Sequence, residues 1–126
     1  MRPKSPTLTD QELEIMKVVW DSDAVTVRDV YEALLEKRRV AYTTVMTMMN
    51  ILEQKGYLKK RQDDRAYVYR PSQPQKLVIR SMVREFVNRV FNGSAEPLLV
   101  HLVEDQHLDA TDLEEIRKTI RKDAKS

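Results

Sequence analysis

The sequence predicts a mainly α-helical chain with a small β-hairpin: three helices, the hairpin, then a helical arm. Three observations lead there. Two helix-capping signatures open the first two helices. A third helix carries no charge from Ala41 to Leu52 in a chain that is 33% charged. A tyrosine-rich extended stretch then runs into Pro71 and Pro74, which punctuate the chain.

The first helix starts after Thr9, with Glu12 three residues on as a capping box and Leu8 with Leu13 as a hydrophobic staple. Leu13, Ile15, Met16, Val19 and Trp20 form its apolar stripe, and it should end near Asp21 to Asp23. Thr26 and Asp29 open a second helix, whose stripe is Val27, Val30, Tyr31, Leu34 and Leu35 and whose end is expected near Arg38 or Arg39. A third covers Tyr42 to Lys55, and Gly56 suits the left-handed position that closes a helix. Tyr57-Leu58 and Ala66 to Arg70 read as two short strands, with Gln62 to Arg65 as the turn between them.

Beyond the prolines, Gln75 to Asn92 reads as a long helix with Ile79, Met82, Val83, Phe86, Val87 and Val90 at spacings of three and four. Asn92-Gly93 stops it, a short apolar segment follows at Leu98 to Val103, and Asp109 with Asp112 opens a last helix striped by Leu113, Ile116 and Ile120. The division expected is residues 1–71 as one domain and residues 72–126 as a helical dimerisation domain.

Composition narrows the function. With no cysteine there is no disulfide framework, thiolate metal site or cysteine nucleophile, which fits a cytoplasmic protein. No apolar run is long enough to insert in a membrane, and MRPKSPTLTD lacks an apolar signal core. His101 and His107 with Glu104 and Asp105 superficially suggest metal ligands, but exposed acids without cysteine read better as solvated surface, so no metal or other cofactor is expected. Two histidines so placed build no catalytic triad, and there is no glycine-rich phosphate loop; nothing indicates an enzyme.

Charge is distributed unevenly. Residues 1–36 carry net −4, residues 37–70 net +6 and residues 71–126 net zero. The middle third therefore suits a polyanion, although a solvated basic surface would look the same by charge alone. The third helix separates the two. At about 100° per residue, Met48, Met49 and Leu52 fall close to Val45 and make the buried stripe. Thr43, Thr47, Asn50 and Gln54 lie opposite, with Met46 beside them. An ordinary solvated face would carry Lys and Glu. Hydroxyls, an amide and apolar atoms instead match base edges in the DNA major groove. Arg38, Arg39, Tyr42, Lys59, Lys60, Arg61 and Arg65, with Lys37 and Lys55, flank that face as candidate phosphate contacts, which position a protein while base contacts specify the sequence. Asp63 and Asp64 would keep part of the hairpin tip away from phosphate.

A second helix that crosses, a third that reads and a hairpin as wing make a winged helix-turn-helix followed by a helical dimerisation arm. Two such modules joined through Ile79, Met82, Val83, Phe86, Val87 and Val90 would read two half-sites. The alternative is that the later helices fold back on the first domain. Two other uses of the fold also fit the pattern: a protein-interaction module without a DNA role, and a ligand-sensing regulator of the MarR type with its effector between domains.

The segments LTDQELEIMKVVW, AYTTVMTMMNILEQKGYLKKRQDDRAYVYRP and FVNRVFNGSAEPLLVHLVED resemble the penicillinase repressor (BlaI/MecI) family, which also includes the copper-responsive CopY type. The likeness spans nearly the whole chain and is most specific before Pro71. It implies a homodimeric repressor on inverted-repeat operators of resistance genes, released when a membrane sensor-protease leads to a cut in the arm. It also implies Thr43, Thr44, Met46 and Thr47 as recognition-helix positions. The family's asparagine–phenylalanine cleavage bond aligns with His101-Leu102 here, and the cysteine-rich tail of the copper branch is absent.

Overall fold

The computed structural model describes residues 7–125, with side chains described up to residue 122. The stretch Met1–Pro6, which carries most of the N-terminus read as lacking a signal core, and Ser126 lie outside the described residues. Six helices and one hairpin follow in order among the described residues: α1 Asp10–Ser22, α2 Val27–Leu35, α3 Tyr42–Lys55, β1 Leu58–Asp63, β2 Ala66–Pro71, α4 Gln75–Phe91, α5 Glu96–Asp105 and α6 Ala110–Lys125. The chain divides into two compact units, one ending at Met82 and the other beginning at Val83.

Both expected capping boxes form. The Thr9 hydroxyl accepts from the Glu12 N–H at 3.1 Å while the Glu12 carboxylate accepts from the Thr9 N–H at 2.9 Å. Thr26 and Asp29 repeat the arrangement at 3.1 and 2.9 Å. Satisfying these otherwise orphaned donors fixes where each helix begins. By contrast Ala41, the residue that precedes α3, offers no side-chain cap. Its far end closes as expected: Gly56 sits at φ +92° and the Tyr57 N–H returns to the Leu52 carbonyl at 3.0 Å.

α2 ends at Leu35, earlier than the expected Arg38 or Arg39. The residues after Leu35 are polar until Val40, so further turns would have buried no apolar surface, and short helices depend on that burial. The N–H groups of Lys37 and Arg38 both turn back onto the Leu34 carbonyl, at 2.9 and 3.1 Å.

The strands are longer than expected. Leu58 pairs with Pro71 and the ladder continues to Asp63 opposite Ala66, leaving Asp64-Arg65 as the turn, with Asp64 at φ 60°. β1 beyond Leu58 is exposed, so backbone pairing rather than apolar alternation extends it. Val25, just before α2, pairs with Tyr69 on the other edge of β2: each N–H donates to the other's carbonyl, at 3.0 and 2.7 Å. Both backbone polar groups of Tyr69 thus go to Val25, while on its other side it stands opposite Lys60 in the hairpin ladder.

The core of the first unit is Leu8, Ile15, Met16 and Val19 from the α1 region, Val25, Val30 and Leu34, then Val45, Met49, Leu52, Tyr57, Leu58 and Tyr69. It continues past the prolines. Val78 on α4 is 3% exposed within it, and Met82 packs against it. The Trp20 indole N–H donates to the Gln73 carbonyl at 3.2 Å, and the Ser72 N–H donates to the Tyr57 carbonyl at 2.9 Å. This compact unit therefore runs eleven residues past Pro71.

The second unit is thinly packed. Val87 is buried, and Phe86 meets Phe91 edge-on at 5.9 Å between ring centroids. Pro97 sits in the first turn of α5, where a missing N–H costs nothing, so that helix is longer than its apolar segment suggested.

Candidate nucleic-acid interface

On α3 the buried stripe is Val45, Met49 and Leu52, with Met48 half-buried. Tyr42, Thr43, Thr44, Met46 and Thr47 are exposed, and Asn50 is half-buried. The exposed side of the helix is therefore neutral, as its composition indicated. Ile51 is also exposed, which the helical angles did not single out.

A groove of about 590 Å³ runs between α3, the start of α2 and the hairpin. Tyr42, Met46 and Asn50 line it from α3, and Lys60, Arg65 and Tyr67 from the hairpin. Thr26, Val27 and Arg28 close it from α2. Strand alternation makes this possible. Lys60 pairs with Tyr69 and Gln62 with Tyr67, while Lys59 pairs with Arg70 and Arg61 with Val68. Successive residues point to opposite faces. Lys60, Tyr67 and Tyr69 thus share the groove face, and Lys59, Arg61 and Arg70 line a second hollow. The Lys60 ammonium lies 4.6 Å from the centroid of the Tyr67 ring, a cation–π contact that holds the side chain without neutralising it. Tyr42 is steadied by an edge-on contact with Tyr31 at 5.3 Å.

Some cations flanking α3 have other partners. Arg38 donates twice to one oxygen of Glu14 on α1, from Nη2 at 2.7 Å and Nε at 3.2 Å. Arg38 therefore holds the Glu14 carboxyl below the usual carboxylate value, and Glu14 raises Arg38 in turn. Lys55 donates to both oxygens of Glu12, at 2.7 and 2.9 Å. Their side chains are only 20% and 6% exposed. Burial pushes the Glu12 carboxyl up, but hydrogen bonds from Lys55 and Thr9 together outweigh it and leave it below the ordinary value. Arg70 reaches Asp23 at 3.4 Å. Among the described residues no carboxylate pairs with Arg39, Lys59, Lys60, Arg61 or Arg65.

The sequence did not signal one further contact. The Tyr69 hydroxyl donates to Oδ1 of Asn50 at 3.2 Å, joining hairpin to α3. Burial first, then the nearby Glu53 carboxylate, raises the Tyr69 hydroxyl above its ordinary value, so it stays protonated and able to donate.

In the arm, Ile79 and Met82 are half-buried, Val87 is buried, and Val83, Phe86 and Val90 are exposed. His101 and Leu102 are exposed within α5, and the His101 ring lies 6.1 Å from that of Phe91. No group of three or more residues suited to a metal occurs among the described residues. No described helix is long and apolar enough to cross a membrane.

Comparison with known proteins agrees with this geometry. The family model of the penicillinase repressor matches residues 8–122. The transcriptional regulator BlaI of Mycobacterium tuberculosis is 38% identical over 111 residues, covering 86% of this chain and 80% of that protein. The penicillinase repressor of Bacillus licheniformis is 28% identical over 113 residues, 90% of this chain and 88% of that protein. The solution structure of the monomeric form of Bacillus licheniformis BlaI in complex with the blaP half-operator superposes with a TM-score of 0.51 at 32% identity, covering 58% of this chain and 89% of that one. The neutral face of α3 and the basic hairpin beside it are thus features of a winged-helix chain that belongs to the penicillinase repressor family, a family of transcriptional repressors rather than enzymes.

Proposed function

We propose that this chain is a sequence-specific DNA-binding repressor that acts as a homodimer on inverted-repeat operators of antibiotic-resistance or related genes. One observation carries the reading: α3 exposes Thr43, Thr44, Met46 and Thr47 without any charge, beside the hairpin cations Lys59, Lys60, Arg61 and Arg65, which pair with no carboxylate among the described residues. Neutral side chains enter the major groove and discriminate bases, while Arg39, Lys59, Lys60, Arg61 and Arg65 meet phosphates. Tyr42 and the uncapped first turn of α3 offer further donors to the backbone. Arg38, paired with Glu14, adds no net charge to this surface. The half-operator named in the Bacillus licheniformis complex supports the same use of this fold.

Dimerisation follows from what the arm leaves uncovered. Val83, Phe86, Val90, Leu99, Val100, Leu113, Ile116 and Ile120 are exposed, far more apolar surface than one protomer's arm should offer to water. A second copy covers it, with the DNA-reading part within residues 1–71 and the dimerising part within 72–126. A membrane sensor-protease as the releasing partner rests on family resemblance. A cut at His101-Leu102 would fall inside α5, which must open before a protease can seat it.

Fluorescence anisotropy tests the function directly. A duplex from upstream of the gene should bind more tightly than a scrambled duplex, and both should weaken as salt rises. Equal binding to every sequence in a selection from random duplexes would rule out a sequence-reading role.

A further inference from the structure

The half-buried Asn50 deserves a role of its own, because an asparagine on a reading helix has two faces. A free amide can accept from adenine N6–H and donate to adenine N7 together. Here the two ends are distinguished. Tyr69 is 2% exposed, with its backbone bonded to Val25 on one side and paired with Lys60 on the other. A ring buried in the core on a backbone bonded to Val25 holds its hydroxyl in place. Its hydroxyl donates to Asn50 Oδ1. That bond turns the amide oxygen toward the protein and leaves the Nδ2 N–H groups, which no described acceptor takes, on the other side of the amide. Asn50 lines the groove with Met46, Lys60 and Arg65, where everything polar from these neighbours donates.

We propose that Tyr69 is a positioning residue that makes Asn50 a one-sided donor, so that this residue selects a base edge made of acceptors, guanine N7 and O6, over adenine. The inference rests on the DNA-reading function above and names the base class read at one position. Thr43 and Thr47, whose hydroxyls rotate, have no such fixed sense. A purely structural bond between hairpin and helix would affect stability and every DNA sequence equally. A positioning bond affects one base pair.

The test compares the full-length wild type with Tyr69→Phe, Asn50→Ala and the double variant. Tyr69→Phe keeps the ring in the core and removes only the hydroxyl. Each protein is titrated against the preferred upstream duplex, against that duplex with every base pair changed in turn, and against 7-deazaguanine replacements. The wild type should lose about 5- to 10-fold when one particular guanine is changed to adenine or loses its N7. Tyr69→Phe should lose most of that preference while keeping its affinity for random DNA and its salt dependence. Asn50→Ala should lose it fully, and the double variant should match Asn50→Ala. A wild-type profile with no such guanine, or a Tyr69→Phe protein that keeps the wild-type profile, overturns the inference and leaves the function intact. A wild type that shows no preference among duplexes overturns both. A uniform loss across all duplexes assigns the bond a structural role only and also overturns the inference.

Discussion

Glu12 holds two ends at once. One carboxylate caps the α1 N-terminus and receives the Lys55 ammonium from the last turn of α3. Removing one partner of a buried pair strands the other, but Lys55 is one-fifth exposed and can turn to water, so the cost is below that of a fully enclosed pair. Glu12→Gln, which keeps an oxygen for the cap, should lower stability by about 1–3 kcal/mol. The check is a lower urea midpoint at unchanged slope. The pH dependence has a definite sign. The folded carboxyl lies below its ordinary 4.5, so its contribution is full above that value and disappears as pH falls through the folded value. Stability of Glu12→Gln should therefore fall less steeply than wild type below about pH 4.5. On the exposed neutral side of α3, Thr47→Ala should relax preference at one base pair by about 1–3 kcal/mol, read in a base-by-base binding scan. Lys60→Ala should weaken all duplexes alike and reduce the salt slope by about one. The neutral side chains were legible because their composition departs from that of a solvated helix. The partners of Arg38 and Lys55 were not, since ion pairs spanning 24 and 43 residues leave no local pattern.

At the scale of elements, the helices with chemical start signals were the easiest to read. Thr9 with Glu12 and Thr26 with Asp29 are local, reciprocal and visible in four residues. The end of α2 carries no such signal, because it is decided by the lack of anything apolar to bury beyond Leu35. The hairpin was located but shortened, since β1 is held by its partner strand and by no apolar face of its own. The bridge from Val25 to Tyr69 depends on a residue more than forty positions away and could not be read from either segment. Gly56 closes α3 at φ +92°, with open space where a Cβ would stand. Gly56→Ala should thus cost about 1 kcal/mol through backbone conformation alone, seen as a lower thermal midpoint with operator preference retained.

For the whole molecule, Pro71 and Pro74 do not mark the change of packing. The first compact unit continues to Met82, because Val78 completes a core made by the helices before it. Apolar periodicity along α4 showed the full stripe from Ile79 to Val90, but one stripe cannot tell which of its residues are covered within the chain and which stay exposed. The exposed half, Val83, Phe86 and Val90, carries the next prediction. Phe86→Asp should convert dimers to monomers in sedimentation equilibrium, with the first unit's helical signal retained. Operator affinity should then drop to that of a single half-site contact. A dimer that persists would remove this stripe from the interface.

The chain has one tryptophan, and Trp20 is bonded through its indole N–H to Gln73, in the segment joining hairpin to α4. That single contact makes the protein its own optical gauge. Undocking of the connecting segment would hydrate the indole and shift its emission to the red while the α1–α3 core stays folded. Loss of the core would come later and move circular dichroism as well. Following both signals during operator binding, without any attached dye, would therefore reveal whether the connection to the arm loosens when the protein engages its target.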